Sequence, residues 1–135
     1  MIHIVVTGSR DWPMAKAKVI WDALEQIYEE LSMNESLCDS LGHPIVTLHH
    51  GECPYGGADL IAASWASGAG WEVKPHPPLK QEARYYAMRN QEMVDLKPDY
   101  VVAFFLEGAG NKGTAMTYDM AKRAGLVMRM REYWA

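Results

Sequence analysis

A glycine-rich stretch near the end of the chain, residues 104–125, carries the residues best suited to binding an anion. Gly108, Gly110 and Gly113 have the G-x-G-x-x-G spacing of dinucleotide-binding loops, and Gly113-Thr114 matches the end of a phosphate loop. Glycine lets backbone approach a ligand closely, and free N–H groups at a helix start attract phosphate. The candidate ligand-binding residues of this stretch are Gly110, Lys112, Gly113 and Thr114.

Neither of the two standard glycine motifs fits this stretch. A dinucleotide fingerprint follows the first strand of its fold, with an acidic ribose ligand about twenty residues later, whereas this stretch follows the fourth predicted strand. A Walker A loop needs lysine directly after its last glycine, but Thr114 stands there and Lys112 precedes Gly113. An NAD fingerprint and magnesium-dependent ATP hydrolysis are therefore disfavoured. A phosphate-binding turn and a flexible loop capped by Thr114 remain equally open.

A second candidate anion site is the turn Thr7-Gly8-Ser9-Arg10, which closes the first apolar run. Gly8, Ser9 and Arg10 could supply close backbone approach, a hydroxyl and a positive charge. The alternative is a tight turn with a solvent-facing arginine. Two such turns favour binding more strongly than one.

A third loop, residues 50–59, follows the second apolar run and includes Gly51 and Gly57. Asp59 stands where a helix is expected to begin, and there it is either a helix cap worth about 1 kcal/mol or an acceptor for ribose hydroxyls. Because its charge would repel phosphate, we expect phosphate to bind at the other two turns.

Apolar periodicity predicts alternating strands and helices along the whole chain. The predicted strands are residues 2–6, 45–50, 71–76, 99–106 and 126–130, and the predicted helices are about residues 13–32, 58–66, 80–96 and 114–124. Residues 32–44 are expected to form a surface loop with at most a short turn of helix.

This alternation predicts one α/β domain over residues 1–135, with an open parallel five-stranded sheet of order 3-2-1-4-5 and helices on both faces. In that order the chain reverses direction between strands 1 and 4, and ligands of open α/β sheets bind in the crevice beyond those strand ends. The turns at Gly8 and Gly113 would both face that crevice.

Composition limits the classes of partner. Thirteen basic and seventeen acidic residues give a net charge of -4, which argues against sequence-independent binding of nucleic acid. No apolar run reaches the roughly 18 residues of a membrane span. The first residues match no secretion signal, and Cys38 and Cys53 are too few for a disulfide framework, so we expect a cytoplasmic protein.

Metal or thiol chemistry has little support in the sequence. His49, His50, Cys53 and His76 match no standard zinc spacing, and adjacent residues of a strand point to opposite faces. Cys53 has no identified base, which favours a partly buried thiol over a nucleophile. We expect no metal and no cofactor.

The ordered motifs resemble the YspA/YpsA-like branch of the SLOG superfamily, which also includes the Lonely-Guy phosphoribohydrolases and the Smf/DprA DNA-processing proteins. The motifs that carry the resemblance are residues 6–12, His50-Gly51 with Gly57-Ala58-Asp59, residues 89–93, and Gly113-Thr114. The resemblance implies a Rossmann-like fold that binds a nucleotide or nucleotide-derived sugar, often as a homodimer.

The hydrolase relatives carry R-K-x-x-M and P-G-G-x-G-T-x-x-E signatures, whose arginine and glutamate serve cleavage of an N-glycosidic bond. Carried over by position, the arginine is Arg89, the lysine is Asn90 and the glutamate is Thr117. A hydroxyl cannot replace a carboxylate in that reaction. The resemblance therefore implies binding, as a sensor or sequestering module, and leaves phosphoribohydrolase activity with Arg89 as an alternative. Carboxylates from Glu52 or Glu107 remain possible substitutes, and binding of single-stranded DNA is a weaker third reading.

Overall fold

The computed structural model of the chain describes residues 1–51 and 56–135. The strands are β1 (Ile2–Gly8), β2 (Val46–His50), β3 (Glu72–Pro75), β4 (Tyr100–Phe105) and β5 (Met130–Trp134). The α-helices are α1 (Ala17–Ser32), α2 (Ala58–Gly68), α3 (Ala83–Asp95) and α4 (Lys112–Arg123). No helix among the described residues is long and apolar enough to cross a membrane.

All five strands are parallel and lie in the order β3-β2-β1-β4-β5, which confirms the predicted sheet and the predicted α/β, Rossmann-like class. Successive residues of a strand face opposite sides of a sheet. On β4, Val102 and Phe104 join the core formed with α1 and α2, whereas Val101 packs with Val94 of α3 and Ala121 of α4. Helices therefore cover both faces, as predicted.

The last strand differs from its prediction of residues 126–130. Gly125 adopts a positive φ of 80° after α4, and Leu126, which is buried, donates its N–H to the Ala121 carbonyl. A 3-10 turn at Val127–Arg129 follows, and the strand occupies Met130–Trp134. The prediction from apolar character placed this strand too early. Leu126 is buried at the end of α4 and does not belong to the sheet.

The other differences lie at element ends. The helix α4 begins at Lys112 instead of residue 114, and a 3-10 turn at Met14–Lys16 precedes α1. The predicted short turn of helix within residues 32–44 is present as a 3-10 turn at Glu35–Leu37.

Three histidines form a hydrogen-bonded series across one side of the sheet, which we call the imidazole row. His3 Nδ1 lies 2.9 Å from His49 Nε2, and His49 Nδ1 lies 2.8 Å from His76 Nε2. The row ends where His76 Nδ1 lies 3.3 Å from Glu92 Oε1 on α3. His49 and His76 are buried. Their nitrogens face one another at hydrogen-bonding distance, so each of these rings has a partner within the protein.

Candidate functional site

A cleft of about 400 Å³ lies beyond the carboxyl ends of β1 and β4. It is the crevice expected where the strand order reverses. Ten of the sequence-predicted site residues line it: Gly8, Ser9, Arg10, Gly51, Asp59, Arg89, Gly110, Lys112, Gly113 and Thr114. Gly57 is not among the lining residues. The two candidate phosphate turns thus face the same space.

The turn after β1 is held by hydrogen bonds within itself and to β4. The Ser9 N–H donates to the Phe104 carbonyl at 3.2 Å, and Ser9 Oγ accepts from the Asp11 N–H at 3.2 Å. The Ser9 amide is therefore not a free donor. The exposed Arg10 differs, since neither its amide nor its guanidinium has a hydrogen-bond partner among the described residues.

Two glycines allow this turn to approach its neighbours. A Cβ on Gly8 would lie 2.5 Å from the Ala58 Cβ of α2. Gly57, at φ +89°, would place a Cβ 2.5 Å from the Arg10 backbone. Glycine at both positions lets the start of α2 pack against the turn.

The start of α4 leaves backbone donors open to the cleft. Asn111 precedes the helix, but its side chain turns back: Nδ2 donates to the Leu106 and Ala109 carbonyls at 3.0 and 3.2 Å, and Oδ1 accepts from the Leu106 N–H at 3.0 Å. It makes no capping bond. The amides of residues 112–114 consequently have no acceptor among the described residues. This role of Asn111 could not be predicted from the sequence, because asparagine before a helix is more often a cap.

These amides lie at the positive end of the α4 dipole, which favours an anion. A Cβ on Gly110 or Gly113 would meet no protein atom within 4 Å. Both glycines therefore border open space instead of packed protein.

Asp59 places a carboxylate in the same cleft. It lies in the first turn of α2, whose N-cap is Gly57, so Asp59 is not the N-cap itself. Its Oδ2 accepts from the Gly51 N–H at 3.3 Å, while its Oδ1 is buried and has no partner among the described residues. Burial raises the pKa of Asp59 to about 6, although the positive charge of Arg89 and the Gly51 N–H act in the opposite direction.

Arg89 links α3 to the loops that follow β2 and β3. Its Nη1 donates to the Gly51 carbonyl and, at 3.4 Å, to the His76 carbonyl. Its Nε donates to Asn90 Oδ1 at 2.7 Å, and its guanidinium lies over the Tyr86 ring, 5.6 Å from the centroid. Several of its donors are thus engaged within the protein, and Arg89 holds the cleft wall in place.

The position of the relatives' catalytic glutamate lies outside the cleft lining. Thr117 is fully buried, and its hydroxyl donates to the Gly113 carbonyl at 3.2 Å within α4. Glu107 does not line the cleft, and Glu52 and Cys53 fall outside the described residues. Among described residues, Asp59 is the cleft's one carboxylate.

The cleft also has an apolar wall that was not predicted from the sequence. Its residues are Val6, Pro78, Tyr86, Met93 and Met116, of which Val6 and Met93 are almost fully buried. Within this wall lies Asn90, a polar residue that is only 4% exposed. In the sequence, the residue that indicated this wall was Met93, which lies on the same face of its helix as Arg89.

A parallel α/β sheet with a polar cleft at its reversal point defines a ligand-binding domain of the Rossmann-like class. The family model YAcAr, described as the YspA, cpYpsA-related SLOG family, matches residues 2–81. The chain belongs to this family, whose superfamily comprises nucleotide-related binding and hydrolase domains. The comparisons with curated proteins and with solved structures found no match.

Proposed function

We propose that the cleft binds a nucleotide or a nucleotide-derived sugar, and that the protein acts as a sensor or sequestering module for it. The proposal depends on two kinds of unpaired polar group that border the same cleft, namely hydrogen-bond donors and a hydrogen-bond acceptor. The amides of residues 112–114 lack acceptors, and Asp59 Oδ1 lacks a donor. A phosphorylated sugar supplies both, through phosphoryl oxygens and hydroxyl groups.

The phosphate belongs at the start of α4. Its backbone amides and helix dipole attract negative charge, and the side chains of Lys112 and Arg10 line the same cleft. A phosphate beside Asp59 would be repelled by the carboxylate. The two ends of the ligand are thereby distinguished by charge.

The sugar belongs near Asp59. A ribose hydroxyl that donates to Oδ1 would supply the partner that this buried oxygen lacks. Hydrogen bonding to a carboxylate favours its charged form, so binding is expected to lower the pKa of Asp59 from about 6.

Hydrolysis of an N-glycosidic bond is the second candidate, and Asp59 is the observation that favours it. A carboxyl group with a pKa of about 6 can exchange a proton near neutral pH. The hydroxyl of Thr117 argues against the mechanism of the hydrolase relatives, because it does not line the cleft and bonds to the Gly113 carbonyl.

Calorimetric titration with AMP, GMP, CMP, UMP and ribose 5-phosphate, followed by chromatography of the same mixtures, tests both candidates. The sensor proposal expects saturable binding with the ligand recovered intact. Free base and ribose 5-phosphate that appear with the parent protein, and not with Asp59→Asn, would establish hydrolysis instead. Lack of binding by every ligand would overturn both candidates.

The family resemblance also suggests a homodimer, which sedimentation velocity would detect as a particle of twice the mass of the chain. A single species of monomer mass at the concentration used for titration would remove that suggestion without affecting the ligand proposal.

A further inference from the structure

The orientation of the Asn90 side-chain amide is fixed by its neighbour. Arg89 Nε lies 2.7 Å from one end of that amide, and a guanidinium nitrogen can only donate. The atom facing Arg89 is therefore Oδ1. The opposite end, which borders the cleft wall, is the NH₂ group of Asn90, a donor.

That donor group is poorly satisfied by the protein. Its contact among the described residues is with Met116 Sδ at 3.7 Å, and a thioether sulfur is a weak acceptor. An amide nitrogen carries two hydrogens, so at least one has no acceptor there. Asn90 is 4% exposed, and a buried donor without a partner destabilises the folded protein. The Asn90 NH₂ group therefore keeps a hydrogen that is available to an acceptor atom.

The surroundings of Asn90 differ from those of the phosphate turn. Met93 and Met116 flank this part of the cleft, and both are apolar. Met116 lies one turn along α4 from Lys112, a rise of about 6 Å. Such a step separates the charged start of the helix from the apolar residues farther along it.

We propose that the apolar wall receives a nucleobase and that Asn90 Nδ2 donates a hydrogen bond to a ring nitrogen or carbonyl oxygen of that base. This inference rests on the proposed function and narrows it: the ligand carries a base, and base-free sugar phosphates bind weakly. Asn90 is a specificity-determining residue. A neutral amide suits a neutral acceptor.

The test compares nucleoside monophosphates with ribose 5-phosphate on the parent protein, Asn90→Leu and Gln91→Leu. Leucine has a similar volume and no donor. Gln91 is an exposed neighbour on α3 that donates to Asp95 at 2.8 Å, so its variant controls for changes to the helix surface. We expect the preferred monophosphate to bind the parent at least tenfold more tightly than ribose 5-phosphate. We expect Asn90→Leu to remove most of that preference while ribose 5-phosphate binding stays within twofold.

Asn90→Asp serves where the leucine variant does not fold, because it keeps an oxygen against Arg89 and replaces the donor with an acceptor. The same loss of preference is expected. Equal binding of all monophosphates and ribose 5-phosphate to the parent would overturn the base site and leave the proposed function standing. An equal loss for both ligand types in Asn90→Leu would also overturn it. No binding by any ligand would overturn both.

Discussion

The imidazole row and the cleft are two polar regions that differ in how their hydrogen-bonding groups are paired. In the row, each contact from His3 to Glu92 joins one protein group to another at 2.8–3.3 Å. In the cleft, Asp59 Oδ1 and the first amides of α4 have no partner among the described residues. The first amides of any helix lack partners within it, and Lys112 and Gly113 are exposed, so these amides are available to a ligand. Asp59 Oδ1 differs, because buried polar groups are nearly always paired. The row therefore satisfies its own hydrogen bonds, whereas the cleft keeps donors and an acceptor that a ligand could use.

The two regions also differ in how acid affects them. The pKa of His49 is lowered from 6.5 to about 4, first by burial and then by the charges of His76 and His3, with Lys74 and His50 adding smaller effects. Folding thus keeps His49 neutral, so its contribution to stability is full above pH 6.5 and is lost as pH falls toward 4. Asp59 is the reverse: its raised pKa means that stability falls as pH rises from about 4 to 6.

The largest effect on stability is expected for His49→Leu. It leaves His3 Nδ1 and His76 Nε2 without a partner, so the free energy of unfolding at pH 7.5 should fall by about 2–3 kcal/mol. Urea unfolding measures it, and the loss should shrink toward pH 4. The matched control is His43→Leu, an exposed histidine bonded to Tyr28, for which a change under 1 kcal/mol is expected. Equal losses in both variants would contradict a structural role for the row.

Removing positive charge from the cleft should have the next largest effect, on affinity and not on stability. The double variant Arg10→Ala/Lys112→Ala should weaken nucleotide binding about 50–100-fold, since it removes two charge-assisted contacts. Arg123→Ala, at the exposed far end of α4, is the control and should leave affinity within twofold. Calorimetry at fixed ionic strength separates the two. An unchanged affinity in the double variant would place the phosphate elsewhere.

Asp59→Asn should lower the affinity for nucleotide and raise the free energy of unfolding. The neutral amide avoids burying a charge, so we expect stability to rise by about 1–2 kcal/mol at pH 7.5 and to change little at pH 4. Nucleotide affinity should fall about tenfold because the hydroxyl loses a charged acceptor. Unfolding curves at both pH values and one titration give both quantities. Destabilisation at pH 7.5 would mean that the carboxylate is paired within the protein.

The smallest effect concerns the position of protons in the row. An ionised Glu92 can only accept, so His76 Nδ1 must donate to it. When the rings are neutral, each Nε2 is then an acceptor, and His49 and His3 must also carry their protons on Nδ1. Nitrogen-15 NMR at pH 7.5 should report the Nδ1–H form for all three. An Nε2–H form at His49 would show that the row is not directed toward Glu92.

The sheet order and the two facing turns could be predicted from the sequence because strand periodicity and glycine positions act locally. Gly8 and Gly113 could be identified as turn residues from their residue type alone. The roles of Asn90, Asn111 and Ser9 could not be predicted, because each depends on an atom from a distant element or a choice between side-chain and backbone partners. Asn111 has the residue type of a helix cap, yet it bonds backward to Leu106. Histidine spacing likewise did not predict the imidazole row, which joins β1, β2 and the residue after β3 to α3.

Chemical-shift mapping of backbone amides during titration with a nucleoside monophosphate tests the central claim most directly. The account predicts that the largest shifts fall on the amides of Arg10, Lys112, Gly113 and Thr114, with little change at His3 and His49. Binding accompanied by shifts confined to other surfaces, with these four amides unmoved, would contradict it.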